Sequence, residues 1–538
     1  MLALPLRTYN LSPFSELRIV TSGSYGGVSV PPTIKLLNTS VIGHGVMQNI
    51  NAAAEIYGKE LVPEVEYILE EGEKVAVFTW TGCSLQVKGN VEQEYEGSDH
   101  AMKEYLNVAH VLDAERELAS VRRLQGPRIL ITGAPSSGKS TAAMILCHYA
   151  VRSGWTPIFI EADPRGSTDR RQIQFFPGVI GATVISGTTE EKPKNPLVYQ
   201  YGYLNAQEND KLYLRISQVM AAMLDTMTER SSATQPQSRR SDEVTDMGKY
   251  IAASGMFVNA PHSANKDLIL KLVKIYNISL VLVIDSPSVH QDLVRTYATM
   301  KDAARGSQVA SVTGELLSSN VIGNLAFQEQ TMIGNYMNDN DDSVCIKGDT
   351  ENDDTKHPVV LAINKLEGVV PVDHERLKYL HDKCWRYYFE RTNKGEMHII
   401  RFKMDDVQLV VVESCIGLSN DALPQDEAGS LQMNETYAAT WNGDAVSLTR
   451  SILGIPATSD LSLIPYSNIL GFFYVRSVEA LIIEPTAENG KADNEGLEDD
   501  AAIKYLVEAV CPVIYSPSSL PSHLLVPGST RAMKWQTL

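Results

Sequence analysis

Residues 133–141 read GAPSSGKST and match the spacing G-x-x-x-x-G-K-S of a phosphate-binding loop. The apolar run before them (RILIT) is typical of a buried strand, and the residues after them have the periodicity of a helix. In this arrangement backbone N–H groups face the phosphates, Lys139 reaches the β and γ oxygens, and the Ser140 hydroxyl can ligate Mg²⁺. The sequence therefore predicts nucleoside triphosphate binding. The predicted binding residues of the loop are Gly133, Ala134, Pro135, Ser136, Ser137, Gly138, Lys139, Ser140 and Thr141.

The composition limits the class of protein. The 538 residues carry a net charge of −18, so any RNA would have to be bound by a local basic groove or a partner subunit. The six cysteines form no C-x-x-C pair, which argues against a zinc site or a disulfide framework and favours a reducing compartment. No apolar run approaches the roughly 18 residues of a membrane span. The first residues also lack the basic-then-apolar order of a secretory signal.

The order of strand-like and helical runs predicts several domains. Residues 1–100 contain strand-like runs separated by glycine turns, which indicate a β-rich N-terminal domain. A helical pattern follows and predicts a linker helix over residues 101–127. Strands and helices alternate across residues 128–395. That alternation predicts an α/β P-loop NTPase domain, with a parallel sheet and helices on both faces.

The remaining segments differ in composition. Residues near 229–246 are rich in Ser, Gln and Arg, and residues near 304–356 become strongly acidic. Both are predicted to be disordered insertions of the central domain. Residues 396–538 return to strand-like runs and predict a mostly β C-terminal domain.

Short motifs outside the loop occur in the order of a known family. They are residues 55–61 (EIYGKEL), 74–83 (KVAVFTWTGC), 199–202 (YQYG), 365–389 and 517–521 (PSSLP). Each is weak alone, and their shared order carries the match over nearly the whole chain. The sequence thereby resembles the Clp subunit of eukaryotic pre-mRNA cleavage factors, a family that also includes polyribonucleotide 5′-hydroxyl kinases.

The resemblance implies roles for further residues. Glu16 matches a glutamate that contacts the adenine, and Lys74 matches a lysine that also reaches the base. Asp163 ends the strand-like run TPIFIEAD and matches an aspartate near the metal. A carboxylate there can hold Mg²⁺ together with Ser140, or accept a proton from an attacking hydroxyl. The implied cofactors are ATP and Mg²⁺.

The sequence departs from the family's active kinases at three places. Active members clasp RNA with a T-x-G-W segment, and residues 258–263 here read VNAPHS. Their lid carries R-x-x-x-x-R, whose arginine positions are here Val372 and Leu377, with Arg376 one residue out of register. The D-x-G-Q-G-S segment reads DPRGS at residues 163–167. These changes weaken the binding of the RNA substrate and the stabilisation of charge in the transition state. No catalytic residue is therefore expected, and Asp163 is a vestigial candidate.

The resemblance is greatest to catalytically inactive, fungal-type members. It implies an ATP-binding structural subunit of the nuclear mRNA 3′-end cleavage and polyadenylation machinery. A scaffold subunit would dock on the central domain, beside other 3′-end processing subunits. Contact with RNA would be weak or indirect, and no membrane would be involved.

Two alternatives remain open. In the first, the protein is an active RNA 5′-hydroxyl kinase in which Arg376 or Arg165 supplies the missing lid charge. In the second, it is a GTPase, because residues 364–367 (NKLE) nearly match the guanine-reading N-K-x-D. Glu in place of Asp would misplace the carboxylate against guanine, and the same residues fit the family's K-x-x-G segment.

Overall fold

The computed structural model has two compact units, residues 1–290 with 359–538, and residues 291–358. The residues that the structure describes are 4–22, 30–37, 41–43, 46–48, 53–166, 175–187, 196–233, 251–306, 357–390, 398–414, 436–483, 502–512, 520–528 and 535. Among these, none of the helices combines the length and apolar character that a membrane crossing requires.

The N-terminal part is a β-sandwich. Its strands are β1 Leu6–Leu11, β2 Ser15–Val20, β3 Thr33–Leu37, β4 Val41–Gly43, β5 Val46–Gln48, β6 Glu55–Ile56, β7 Lys59–Glu60, β8 Glu66–Ile68, β9 Lys74–Thr79, β10 Cys83–Lys88 and β11 Gln93–Ser98. One sheet has the order β1-β10-β3-β8 and the other β11-β2-β9-β6-β7. Alternate residues of β3 are buried, as a sheet with one face on a core requires. Leu36 and Leu85 of one sheet share that core with Leu17 and Val77 of the other.

The central part begins after a long helix. Its elements are α1 Met102–Arg122, β12 Arg128–Gly133, α2 Lys139–Arg152, β13 Ile158–Glu161, β14 Val179–Val184, β15 Leu197–Gln200, α3 Asp210–Ala233, α4 Ile251–Ser254, β16 Met256–Asn259, α5 Lys266–Ile275, β17 Leu280–Ile284, α6 Pro287–Gly306, β18 Val359–Ile363 and α7 His374–Phe389. The sheet order is β15-β14-β13-β16-β12-β17-β18. Strands β12, β16 and β17 are almost wholly buried, which explains their continuous apolar sequences.

The central sheet differs from the prediction at one edge. Five strands run parallel, but β13 pairs antiparallel with β14, and β14 pairs antiparallel with β15. No helix separates β13, β14 and β15, so the alternation of strands and helices that predicts a parallel sheet is missing there. Helix α3 continues to Ala233 and α6 to Gly306, so the first residues of both predicted insertions are helical. The remaining residues of both insertions lie outside the described part of the chain.

The C-terminal part is a second β domain. Its strands are β19 His398–Lys403, β20 Gln408–Ser414, β21 Thr436–Thr440, β22 Ile452–Pro456, β23 Ile469–Ile483, β24 Ala502–Cys511 and β25 His523–Val526. They form one sheet in the order β19-β24-β23-β22-β25-β20-β21, in which only the β20–β25 pair is parallel. The predicted architecture, an α/β P-loop domain between two β domains, is therefore confirmed.

A hairpin of the N-terminal domain docks on the helix that follows the phosphate loop. Glu55 of β6 accepts a hydrogen bond from the Tyr149 hydroxyl (2.5 Å) and pairs with Arg152 (2.7 Å) on α2. A Cβ on Gly58, where φ is +78°, would lie 2.9 Å from the carbonyl oxygen of Ile145. Only glycine lets the turn approach α2 so closely. The motif EIYGKEL is thus a docking element that places the N-terminal domain beside the loop.

Candidate nucleotide-binding site

The phosphate loop joins β12 to α2, and two of its glycines have backbone angles that other residues rarely adopt. Gly133 has φ +147° and Gly138 has φ +85°. A Cβ on Gly133 would lie 2.1 Å from the carbonyl oxygen of Ile284, and one on Gly138 would lie 2.7 Å from Val369 Cγ2. The neighbouring strand β17 and the segment before α7 therefore leave no room for side chains at these positions. A tight loop with its N–H groups at a helix N-terminus results, which suits an anion.

Lys139 is folded back on the loop. Its Nζ donates to the carbonyl oxygens of Ala134 (2.9 Å) and Gly133 (3.3 Å). Burial lowers the pKa of Lys139 to about 8, and the nearby carboxylate of Asp163 opposes that shift. A phosphate group would replace the carbonyl partners with full negative charge. Phosphate binding should therefore restore the ordinary basicity of this lysine.

Two buried polar atoms near the loop have no hydrogen-bond partner among the described residues: Ser137 Oγ and Asn259 Oδ1. Unsatisfied buried polar atoms are costly, and they commonly face a ligand or an ordered water. Ser137 belongs to the loop itself, and Asn259 ends the adjacent strand β16. Both atoms fit a site that is completed by a polar, phosphate-bearing ligand.

A hydrogen-bonded group of side chains surrounds Ser140. The Asn259 amide donates to Ser140 Oγ (3.0 Å) and to both oxygens of Glu161 (2.8 and 3.1 Å). Glu161 is buried, and burial together with the charge of Asp163 raises its pKa well above the usual range. A bound divalent cation would favour the ionised form of this carboxyl group.

Asp163 follows β13 and is held by several donors. The backbone N–H of His262 donates to Oδ2 (2.9 Å), and the His262 ring lies 3.3 Å from Oδ1. The backbone N–H of Arg165 also donates to Oδ1 (3.1 Å). Burial alone would raise the pKa of Asp163, but the His262 hydrogen bond and the Arg165 charge outweigh it and lower the pKa. Asp163 is therefore poised as a carboxylate beside the loop.

A divalent ion here would depend on the nucleotide for most of its ligands. Among the described residues, no group of three His, Cys, Asp or Glu side chains is arranged to hold a metal. Magnesium is usually bound through one or two carboxylates and completes its shell with phosphate oxygens and water. The Ser140 hydroxyl and the carboxylate of Asp163, which both line the cleft, match that pattern. These donors fit Mg²⁺ bound together with a nucleotide.

Glu16 lies in the N-terminal wall of the same cleft. It is buried and forms an ion pair with Arg18, and both side chains lie against Gly368. Burial raises the pKa of Glu16 to about 7, although Arg18 opposes the shift. Lys74, at the start of β9, is exposed and also lines the cleft.

The cleft has a volume of about 980 Å³ and brings together most of the predicted residues. Its lining includes Glu16, Lys74, residues 136–141 and Asp163. The loop residues at positions 133–135 belong to the loop but do not line this cavity. Glu161 and Asn259 were missed because each only ends a strand. Their proximity to Ser140 arises from the order β13-β16-β12, which sequence periodicity does not reveal.

The segment before α7 and the helix itself close another side of the cleft. Val369, Val372, Arg376 and Leu377 all line it. The guanidinium of Arg376 packs against Gly72 in the turn before β9, since a Cβ there would meet its terminal nitrogens. It also lies over the ring of Tyr379, 5.2 Å from the centroid. The one arginine of the lid segment is therefore engaged with the N-terminal domain.

Residues 364–367 are occupied by contacts to other elements. The Asn364 side chain donates to Glu104 of α1 (2.6 Å), and Lys365 pairs with Asp285 (2.8 Å). The backbone N–H of Glu367 donates to Asp99 (2.9 Å). This geometry explains the segment as a link between the central sheet and α1, and it gives no support to guanine recognition.

Comparisons with known proteins agree with this architecture. A family model described as the N-terminal beta-sandwich domain of polyadenylation factor matches residues 37–119. A second, described as the mRNA cleavage and polyadenylation factor CLP1 P-loop, matches residues 133–312. The chain is 26% identical over 498 residues to a CLP1 homolog from Arabidopsis thaliana, an alignment that covers 89% of the chain and 88% of that relative.

Animal relatives match over shorter regions. The polyribonucleotide 5′-hydroxyl-kinase Clp1 of Bos taurus is 32% identical over 247 residues, which are 45% of this chain and 53% of that protein. The Homo sapiens protein of the same name is 30% identical over 254 residues, which are 46% of this chain and 55% of that protein. The chain thus aligns with about half the length of these kinases.

Solved structures share the fold over nearly the full length. A structure of the wild-type Clp1p–Pcf11p complex matches with a TM-score of 0.60 and 17% identity, covering 99% of both chains. Another, of the extended Pcf11p–Clp1p interface and a point mutant that loses ATP, matches with a TM-score of 0.61 and covers 98% of both chains. The chain has the sandwich, the phosphate loop with its flanking strand and helix, and matches to both CLP1 domain models. It therefore belongs to the Clp-type polyadenylation factor subunits.

Proposed function

We propose that this protein binds ATP with Mg²⁺ in the cleft between its N-terminal and central domains and acts without catalysis. Its role would be that of a structural subunit of the nuclear mRNA 3′-end cleavage and polyadenylation machinery. The observation that carries the proposal is the phosphate loop, where Lys139 and Ser140 line the same cleft as Glu16 and Asp163. We also propose the domain boundaries near residues 100, 127 and 395.

Each part of the cleft has a distinct task in this proposal. The loop N–H groups and Lys139 bind the phosphates, and the hydroxyl of Ser140 with the carboxylate of Asp163 holds Mg²⁺. Glu16 and Lys74 contact the adenine. When bound, Mg²⁺ neutralises phosphate charge and orients the phosphates. Because Glu16 belongs to the sandwich and Lys139 to the central domain, a bound nucleotide holds the two domains together.

The lid geometry supports the absence of kinase activity. Val372 and Leu377 stand where active relatives have arginines, and Arg376 packs against the turn at Gly72. An arginine that stabilises the transferring phosphoryl group contributes roughly 10³–10⁵ in rate. The segment 258–263 has no tryptophan to stack on a base, and its His262 is hydrogen-bonded to Asp163. Both the binding of the RNA substrate and the stabilisation of charge in the transition state are therefore weakened.

The proposed partner is a scaffold subunit that docks on the central domain. Two structures that share the fold are complexes of Clp1p with Pcf11p, which supports a partner of that kind. The other subunits, the nuclear location and the weak or indirect contact with RNA follow from the same proposed assembly. Co-purification from nuclear extract with antibodies against 3′-end processing factors would test it. A protein that elutes apart from every such factor contradicts the proposed assembly.

The alternative is an active 5′-hydroxyl kinase. It is favoured by one observation, namely that Arg376 lines the same cleft as Asp163 and Lys139. Its side chain would have to leave the turn at Gly72 before it could approach the phosphates.

Nucleotide content tests the binding proposal directly. The purified protein is denatured and the released nucleotides are separated by ion-exchange chromatography. Affinities for ATP and GTP are then measured by calorimetry. We expect bound ATP and a clear preference for adenine. Absence of ATP binding, or a preference for GTP, contradicts the proposal.

A further inference from the structure

Asn259 lies at the end of the central strand β16, beside the strands β13 and β12. It is the last residue of β16, which lies between β13 and β12, and it is 1% exposed. Its amide nitrogen donates to the hydroxyl of Ser140 and to both carboxylate oxygens of Glu161. One side chain thereby connects the phosphate loop to the strand that leads to Asp163.

Ser140 and Asn259 retain hydrogen-bonding capacity that the described residues do not use. A serine hydroxyl has two lone pairs, and Asn259 occupies one at Ser140, so the second remains available for a cation. Glu161 accepts from Asn259 on both oxygens and also from the backbone N–H of Asp163 (3.0 Å), which joins Asn259 through Glu161 to the residue proposed to hold the metal. The amide oxygen of Asn259 is buried and has no partner within the described part of the chain. A purely structural amide would be expected to satisfy both of its ends.

We propose that Asn259 is a positioning residue for the metal ion of the bound nucleotide. It would hold the Ser140 hydroxyl toward Mg²⁺, and through Glu161 it would fix the strand end that carries Asp163. Neither Asn259 nor Glu161 lines the cleft, so both would act behind the residues that hold the ion. This inference rests on the proposed function, because it requires that the cleft bind ATP with Mg²⁺.

The chain that follows Asn259 supports the same role. Three residues later, the backbone N–H of His262 donates to Asp163. The short segment 259–262 therefore contacts Ser140 and Asp163, the two side chains proposed to hold the metal, and Glu161 behind them. Outer partners of metal ligands typically contribute 10- to 100-fold in metal affinity. Residues 259–262 lie in the segment that lacks the RNA-clasping Thr and Trp. Here the segment would instead help to retain the metal–nucleotide complex.

The test measures how much Mg²⁺ strengthens ATP binding. ATP is titrated calorimetrically into the wild-type protein and Asn259→Ala, once with Mg²⁺ and once with EDTA. We expect Asn259→Ala to reduce the Mg²⁺-dependent gain in affinity about 10- to 100-fold, with the affinity in EDTA little changed. Gln200→Ala is the matched control. It removes another buried side-chain amide of the central sheet, whose nitrogen donates to the carbonyl oxygen of Leu525 (3.3 Å) away from the cleft, and it should keep the full gain.

A second readout and variant keep the inference testable. Mn²⁺ bound with ATP is counted by electron paramagnetic resonance, and its affinity should fall in Asn259→Ala and in Glu161→Gln but not in Gln200→Ala. If Asn259→Ala does not fold, Glu161→Gln alone decides the matter. An unchanged Mg²⁺ gain in the folded variants overturns the inference. A wild-type protein that binds no ATP overturns the proposed function instead, so the two failures are distinguishable.

Discussion

Lys139 is the residue on which the phosphate site depends most. Its ammonium group is buried and donates hydrogen bonds to the carbonyl oxygens of Gly133 and Ala134 in its own loop. Carbonyl dipoles compensate a buried charge less well than a phosphate does, which is why its pKa is lowered to about 8. The loop is thus organised before the ligand arrives, and binding energy is not spent on ordering it.

Removal of this charge should weaken ATP binding strongly. Hydrogen bonds to charged groups contribute about 1.5–3 kcal/mol, so Lys139→Ala should lower ATP affinity roughly 10- to 100-fold. Calorimetric titration measures the effect. Lys271→Ala, which removes an exposed lysine of α5, is the control and should leave the affinity unchanged. Equal affinities of wild type and Lys139→Ala would show that the phosphates bind elsewhere.

The pH dependence of ATP binding should report Glu16. Its pKa is raised to about 7 by burial, so it is largely protonated at pH 6 and ionised at pH 8. An ionised carboxylate accepts a hydrogen bond from the adenine amino group better than a protonated one does. The ratio of wild-type to Glu16→Gln affinity should therefore rise between pH 6 and pH 8. A ratio that is constant with pH would remove Glu16 from the base site.

The sequence offered candidate site residues from a continuous motif, the phosphate loop, and from the family resemblance. Loop residues 136–141 line one cleft together with Glu16, Lys74 and Asp163, whereas loop residues 133–135 do not line it. Glu161 and Asn259 were not found, because each is an ordinary strand-end residue until β13 and β16 are placed beside β12. Contacts between distant segments depend on strand order, which local sequence patterns do not encode.

Helix α2 connects the phosphate loop to the N-terminal domain. Glu55 is buried between Tyr149 and Arg152, whereas Glu60 reaches the same arginine from an exposed position. Removing a buried carboxylate costs more than removing one from an exposed ion pair, because it leaves buried partners uncompensated, whereas solvent screens the exposed pair. The two glutamates therefore form a matched pair for a test of this interface.

We expect Glu55→Gln to lower the free energy of unfolding by about 1–3 kcal/mol, since it leaves buried partners imperfectly satisfied. Glu60→Gln should change it by about 0–1 kcal/mol. Urea unfolding, followed by the fluorescence of the intact protein, compares the two variants. Equal effects would mean that the hairpin does not anchor the sandwich to α2.

Periodicity predicted most of the elements correctly but not their pairing. Strands β12, β16 and β17 were recognisable as continuous apolar runs because both faces of a parallel strand are buried. β14 and β15 escaped because they form an antiparallel edge without an intervening helix. The docking role of the hairpin at residues 55–60 was equally invisible, since it depends on contacts with a helix more than 80 residues away.

At the scale of the whole molecule, α7 contacts all three domains. Lys383 pairs with Glu70 of the sandwich (3.0 Å), while Arg376 lines the nucleotide cleft. Trp385 stacks on Phe176 of the central domain, with ring centroids 4.6 Å apart, and meets Phe472 of the C-terminal sheet edge-on at 5.1 Å. The helix therefore connects the cleft to the C-terminal domain through a continuous aromatic cluster.

Truncation of Phe472 should loosen this connection. Phe→Ala changes in packed sites cost about 3–5 kcal/mol, and here the cost falls on the contact between α7 and the C-terminal sheet. Hydrogen exchange of the α7 amides should accelerate in Phe472→Ala. In Phe402→Ala, which alters the interior of the C-terminal domain, the strands of that domain should respond first. Unchanged protection of α7 in Phe472→Ala would contradict the proposed connection.

The central claim is that the protein binds ATP without transferring phosphate. The direct test is incubation of the protein with γ-labelled ATP, Mg²⁺ and an RNA oligonucleotide that has a 5′-hydroxyl end, with the bound nucleotide quantified in parallel. The account predicts bound ATP and no labelled RNA. Labelled RNA that disappears in Asp163→Ala would contradict it, and would mean that Arg376, Arg165 or another cation replaces the missing lid arginines.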